Sequence, residues 1–122
     1  MIKGDIVLLP FPFTDLSGNK NRPAIVLFES GEDVTVCFVT SQLRRISDFD
    51  ITIQPTDLNG LKKVSVVRLN KMATIDKSLV LGRLGSLDKQ QVEVLDQNLV
   101  KLFRIDKQGT YSRGHEADLT TD

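Results

Sequence analysis

Short apolar runs alternate with clusters of turn-forming residues along the first eighty or so positions of the chain, and then the period changes. Val, Ile and Leu concentrate at Asp5 to Leu9, Ala24 to Phe28, Val34 to Val39, Asp50 to Ile53, Val64 to Arg68 and Ser78 to Gly82. β-Branched residues at that density, bounded by Gly, Asn, Asp and Pro, predict strands. The breaks between them are FPFTDLSGNKN, ESGED and DLNG, rich in residues that favour turns. Parallel neighbours would need helix-length crossovers, and the early runs are too close together for that. The pattern therefore predicts a small antiparallel barrel.

After Gly85 the apolar positions Val92, Leu95, Leu99, Leu102 and Phe103 fall three and four apart. This is one buried stripe of an amphipathic helix, with Ser86 expected to cap it and Asp88 in its first turn complementing the helix dipole. Beyond Ile105 the sequence GTYSRGHEADLTTD is polar and aperiodic, and a flexible tail is expected there. The expected organisation is one domain over residues 1–105 and a tail over 106–122. The fold class is mainly β, a barrel with a C-terminal α-helix.

Composition supports this reading. With 122 residues, 40% of them hydrophobic, the chain is long enough to bury a core without disulfides or a structural metal. Its single cysteine, Cys37, lies in TVCFV and reads as a small buried hydrophobe. The opening MIKGDIVLLP lacks the cleavage site of a signal peptide, and no apolar stretch approaches bilayer-spanning length, so a reducing, cytoplasmic setting is expected. Sixteen basic residues balance sixteen acidic ones, so any nucleic-acid site has to be local. Leu61 to Lys71 holds Lys62, Lys63, Arg68 and Lys71 with no acid, and Lys62 and Lys63 read as a solvated face.

Conventional catalytic groups are nearly absent. The only histidine, His115, lies in the polar tail, and there is no HExxH, paired CxxC, Walker loop or dinucleotide fingerprint. Zinc, nucleotide and serine-triad mechanisms are disfavoured, and no metal or cofactor is expected. What remains are arginines and hydroxyls in strand-like segments. Arg22 stands before Pro23 at the mouth of a predicted strand, where its guanidinium can offer a planar fork to phosphate or simply lie on the surface. Thr40 and Ser41 follow VCFV, where their hydroxyls can bind a phosphate oxygen or cap the strand end. Arg68 alternates with Val66, opposite in face to Val67 and Leu69.

Three segments, GDIVLLPFPFTDLSGNKNRPAIVL, VTSQ at Val39 to Gln42, and SVVRLNKMATIDKSLVLGRLGSL at Ser65 to Leu87, together resemble the PemK/MazF-like growth-inhibitor toxins. The resemblance runs from about Lys3 to Phe103. It implies an SH3-like antiparallel barrel of the CcdB/MazF toxin type and a two-fold homodimer, silenced by a cognate antitoxin. It also implies a metal-independent, sequence-specific endoribonuclease that cuts single-stranded RNA, mRNA included, to leave a cyclic phosphate and a free 5′ hydroxyl. The arginine of the family's K/R-x-R-P motif falls on Arg22, its strand-end Thr or Ser on Thr40, and its second arginine on Arg68. These three are the expected catalytic residues. Two positions beyond that second arginine some members carry an acid, and here Asn70 stands there. An amide is no Brønsted base near neutral pH, so Asn70 is assigned to the ribose.

Other expected RNA contacts are Ser41 and Gln42, with Phe13, Asn19 and Lys20 in the loop Phe11 to Asn21. Phe11 and Phe13 suit stacking of unpaired bases and core packing equally. TIDK at Thr74 to Lys77 reads as a strand-turn element at the dimer interface, with Asp76 tying down the turn. Two rival readings use the same barrel. One is a CcdB-type inhibitor that binds a protein target such as DNA gyrase through the helix end, and the other is an inactivated member that only binds antitoxin.

Overall fold

The computed structural model describes residues 1–11, 20–43 and 47–105. In chain order these form β1 (Asp5–Phe11), β2 (Lys20–Ser30), β3 (Asp33–Thr40), β4 (Ile51–Ile53), β5 (Ser65–Asp76), a single 3-10 turn (Lys77–Leu79), β6 (Gly82–Ser86) and α1 (Lys89–Phe103). The six strands make one antiparallel sheet in the order β4-β5-β3-β2-β1-β6. The expected tail, with His115, and the loop residues Phe13 and Asn19 lie outside the described residues.

The sheet has to curl. β5 and β6 stand four places apart in the strand order, which would be roughly 19 Å in a flat sheet at the usual interstrand spacing. The connection from Asp76 to Gly82 includes the 3-10 turn and reaches only about 16 Å. A half-barrel reconciles the two lengths, and Leu79 and Val80 of this connection pack onto the enclosed face beside Val7, Val26, Val36 and Ile75. Asp76 anchors the turn, its carboxylate accepting from the Ser78 N–H at 2.8 Å. The tie read from TIDK is thus present. The strand expected at Ser78 to Gly82 is corrected: that stretch is the turn and its exit, and the last strand begins only at Gly82.

The other face of the sheet is covered by α1. Leu95 is fully buried among Ile6, Ile25, Cys37, Val67 and Leu69, with Val92, Leu99 and Leu102 packed alongside. The expected stripe is observed at Val92, Leu95, Leu99 and Leu102, but Phe103 is corrected: it stands exposed at the helix end, and the helix starts later than Ser86. Its N-cap is Asp88, whose carboxylate accepts from the Gln91 N–H at 2.7 Å while the Gln91 side chain accepts from the Asp88 N–H at 2.9 Å. This reciprocal box satisfies two end donors at once. Ser86 instead ends β6, paired with Asp5. No helix among the described residues is long and apolar enough to cross a membrane.

Cys37 sits in this core with none of its surface exposed, and burial pushes its thiol up to about 12. Thiolate is the reactive form, so it is essentially absent at pH 8 in the folded chain. The thiol is expected to be silent to a chromogenic disulfide reagent at pH 8 and to titrate fully in denaturant. Stoichiometric reaction of the native protein at the speed of a free thiol would contradict this packing.

Candidate functional site

The site follows from strand register and one missing donor. β2 pairs with β3 through Ala24↔Phe38, and continuing that register places Pro23 opposite Val39 and Arg22 opposite Thr40. Proline has no N–H to give to the ladder, and the β2–β3 pairing stops at Ala24. The two strand ends are thus released from each other where the side chains of Arg22 and Thr40 emerge. On the other side of β3, Phe38 pairs with Arg68 and Thr40 with Val66. Cross-strand partners share a face, so Arg22, Phe38, Thr40 and Arg68 all project from one side of the sheet. Val67 and Leu69 are buried on the helix-covered side, as the alternation predicted.

These side chains line a cleft of about 280 Å³ together with Gln42 and Lys71. Thr40 accepts a hydrogen bond from the Gln42 N–H at 3.1 Å. The hydroxyl therefore caps the strand end, one of its two expected roles, and its own proton remains to be donated into the cleft. A second cleft of about 410 Å³ shares Arg22, Val39 and Thr40 with the first and continues past Ser41 to Lys62 and Lys63. Both lysines are exposed, as a solvated face requires, but they stand at the wall of this cleft. No carboxylate is among the described residues lining either cleft.

Sequence reasoning missed Asp50. β4 pairs with β5 as Ile51↔Val67, so the residue before β4 lies opposite Arg68. Its carboxylate is completely buried, with Oδ2 at 3.1 Å from Arg68 Nε, while the Arg68 side chain is 27% exposed. Asp50 Oδ2 also accepts from the Ser47 N–H at 3.0 Å. The Arg68 N–H is not aligned for a hydrogen bond to this oxygen, and Asp50 Oδ1 has no partner among the described residues. The pair is held by charge rather than by a directed bond. Its geometry gives Arg68 an inner end braced by a buried anion and an outer end in the cleft.

The remaining expected residues are more scattered. Ser41 lines the second cleft. Lys20, at the start of β2, and Asn70 are exposed and line neither. Asn70 lies where the β3–β5 register jumps from Cys37↔Met72 to Phe38↔Arg68, so Leu69, Asn70 and Lys71 form an irregular stretch. Simple alternation from Arg68 would put Asn70 on the cleft side, but the jump brings Lys71 to the first cleft in its place.

A half-barrel sheet backed by one C-terminal helix is the fold of the MazF toxins. Solved structures similar to this one include Mycobacterium tuberculosis toxin MazF-mt6, with a TM-score of 0.68 and 22% identity over 84% of this chain and 98% of that one. A MazF from Deinococcus radiodurans gives 0.65 and 24% over 86% and 97%. An endoribonuclease in complex with its cognate antitoxin, from a mycobacterial species, gives 0.68 and 14% over 87% and 97%. At such identities the likeness establishes the fold. Among curated protein sequences no match was found. Family membership comes from the sequence itself: residues 2–103 match the PemK-like, MazF-like toxin of type II toxin-antitoxin systems, and the chain belongs to that family.

Proposed function

We propose that the chain is an active toxin endoribonuclease that cleaves single-stranded RNA, mRNA included, in the cytoplasm without a metal ion and so arrests translation and growth. The observation that carries this reading is the convergence of Arg22, Thr40 and Arg68, from three separate strands, on one cleft with no lining carboxylate. In the reaction the 2′ oxygen attacks the adjacent phosphorus, its proton leaves to solvent, and the bond to the 5′ oxygen breaks as that oxygen takes a proton from solvent. The products are a 2′,3′-cyclic phosphate and a 5′ hydroxyl. Arg22 and Arg68 neutralise the charge that builds on the phosphorane oxygens, while the Thr40 hydroxyl, oriented by the Gln42 N–H, donates to one of them. Gln42 and Ser41 contact the neighbouring nucleotide, and Asn70 with Lys20, Phe13 and Asn19 engages RNA farther along the strand.

The decisive experiment incubates purified protein with a defined single-stranded RNA in EDTA and maps the new termini. Cyclic-phosphate and 5′-hydroxyl ends support the reading, and intact RNA removes it. A second reading, a growth inhibitor that binds a protein target such as gyrase, is favoured by Phe103 and Ile105, which stand exposed at the end of α1. It predicts intact RNA and loss of inhibition on Phe103→Ala.

The described polar side chains lining the first cleft are arginines, a lysine, a threonine and a glutamine, with no histidine and no carboxylate among them. The cleavage rate is therefore expected to rise smoothly with pH as the 2′ hydroxyl becomes easier to deprotonate. It should also survive chelator, because a cationic cleft repels divalent metal. A bell-shaped profile would require an essential acid and base and would break this assignment.

The toxin is further proposed to be a homodimer whose groove is covered by an antitoxin segment. A solved complex of a similarly folded endoribonuclease with its antitoxin supports the partner class. Acidic side chains of such a segment suit the basic clefts, with a few apolar anchors buried alongside. Sedimentation at micromolar concentration should show the dimer, and a monomer alone would remove it.

A further inference from the structure

We propose that the second cleft is a subsite for the nucleotide next to the scissile phosphate, and that Lys62 and Lys63 hold that nucleotide's own phosphate. The inference rests on the ribonuclease reading and extends it to Lys62 and Lys63, which lie outside the three family motifs. The two clefts share Arg22, Val39 and Thr40, so a strand seated at Arg22 and Thr40 continues along the same surface without a break. The walls of the second cleft combine two ammonium groups and the Ser41 hydroxyl with apolar side chains from Leu61 and Leu84. An anion flanked by a flat apolar ring is the chemistry of an unpaired nucleotide.

The backbone beneath the lysines is built rather than loose. Asn59 is fully buried, its Oδ1 accepts from the Thr56 and Leu61 N–H groups at 3.0 and 2.9 Å, and its Nδ2 donates to the Gln54 carbonyl at 2.8 Å. The turn is docked on β6 through backbone contact at two glycines. A Cβ on Gly60, whose φ is +69°, would stand 2.4 Å from the Leu84 oxygen, and one on Gly85 would stand 2.1 Å from the Leu58 oxygen. The Ser86 N–H donates to that Leu58 carbonyl at 3.0 Å. Lys62 and Lys63 thus leave a fixed platform, which reduces the ordering cost of placing their ammoniums over a phosphate. A pair of lysines that only solvates a surface needs no such foundation.

The test measures binding of a short random-sequence single-stranded RNA, 2′-O-methylated throughout so that it cannot be cut, across a salt series. For Lys62→Ala/Lys63→Ala, affinity at low salt should fall about tenfold, and the slope of log affinity against log salt should shrink by about 0.7 for each phosphate that is no longer neutralised. Lys62→Arg/Lys63→Arg should keep the wild-type slope. Lys89→Ala/Lys101→Ala, which removes two exposed charges on α1, should leave it unchanged. Equal weakening by the helix pair and the cleft pair would mean diffuse charge and would overturn the subsite, as would a wild-type slope in Lys62→Ala/Lys63→Ala. If either result accompanies normal cleavage by the unaltered chain, the ribonuclease reading stands and only the subsite falls. Failure of the unaltered chain to bind the probe at all would remove both.

Discussion

Arg22→Ala is expected to lower RNA cleavage roughly a hundredfold or more, and to abolish growth inhibition, while the protein remains folded. The size follows from removing one charge-assisted hydrogen bond to the phosphorane, an interaction worth several kcal/mol in the transition state. The intact fold follows from position: Arg22 is an exposed side chain on the open end of β2, beyond the last β2–β3 pair. Exposed substitutions away from packing usually change stability by less than about 0.5 kcal/mol. The measurement is single-turnover cleavage alongside thermal unfolding. Full activity in the folded variant would exclude Arg22 from the reaction.

Arg68→Ala is expected to behave differently, because its removal strands Asp50. A fully buried carboxylate deprived of its cation typically costs on the order of 3 kcal/mol, so this variant should lose stability as well as cleavage. Asp50→Asn made in the same chain removes the stranded charge, and should recover most of the lost stability without restoring activity. Denaturant unfolding of the two single variants and the double variant completes a thermodynamic cycle, in which a coupling near zero would show that the pair is not a unit. Recovery of cleavage in the double variant would show that Arg68 serves only as a counter-ion. The comparison separates Arg22, on the exposed end of β2, from Arg68, which is braced by a buried carboxylate.

The cleft was legible in the sequence where local motif and register coincide. Arg22 before Pro23, and Thr40 at the end of an apolar run, reveal themselves because the proline and the strand end are local signals. Asp50 was not legible, since it meets Arg68 only through the pairing of β4 with β5, and nothing near Asp50 in the chain specifies its partner. The helix stripe was clear from its spacing, but its start was misplaced because Ser86 and Asp88 both suit a cap and only Asp88 has Gln91 three residues on. β6 was placed too early for a tertiary reason. GRLGS has little strand propensity, and it becomes a strand because β1 offers an edge and because Gly85 lets the carbonyls of Leu58 and Asn59 approach. The apolar SLVL before it looked more like a strand, but Asp76 diverts it into the closing turn.

The dispersal of the cleft along the chain also bears on when the protein can act during its own synthesis. Arg22, Thr40, Asp50 and Arg68 come from β2, β3, the approach to β4, and β5, and the helix that seals the core behind them is the last described element. A nascent chain that has emerged as far as β3 holds two of the four groups, with no β5 to align them and no Leu95 to cover the apolar face. Pairings between distant segments form late, after loop closure has been offset by many contacts at once. For a chain proposed to cut mRNA, this ordering means that the four groups can meet in one cleft only after β5 has been made, shortly before the helix that covers the core.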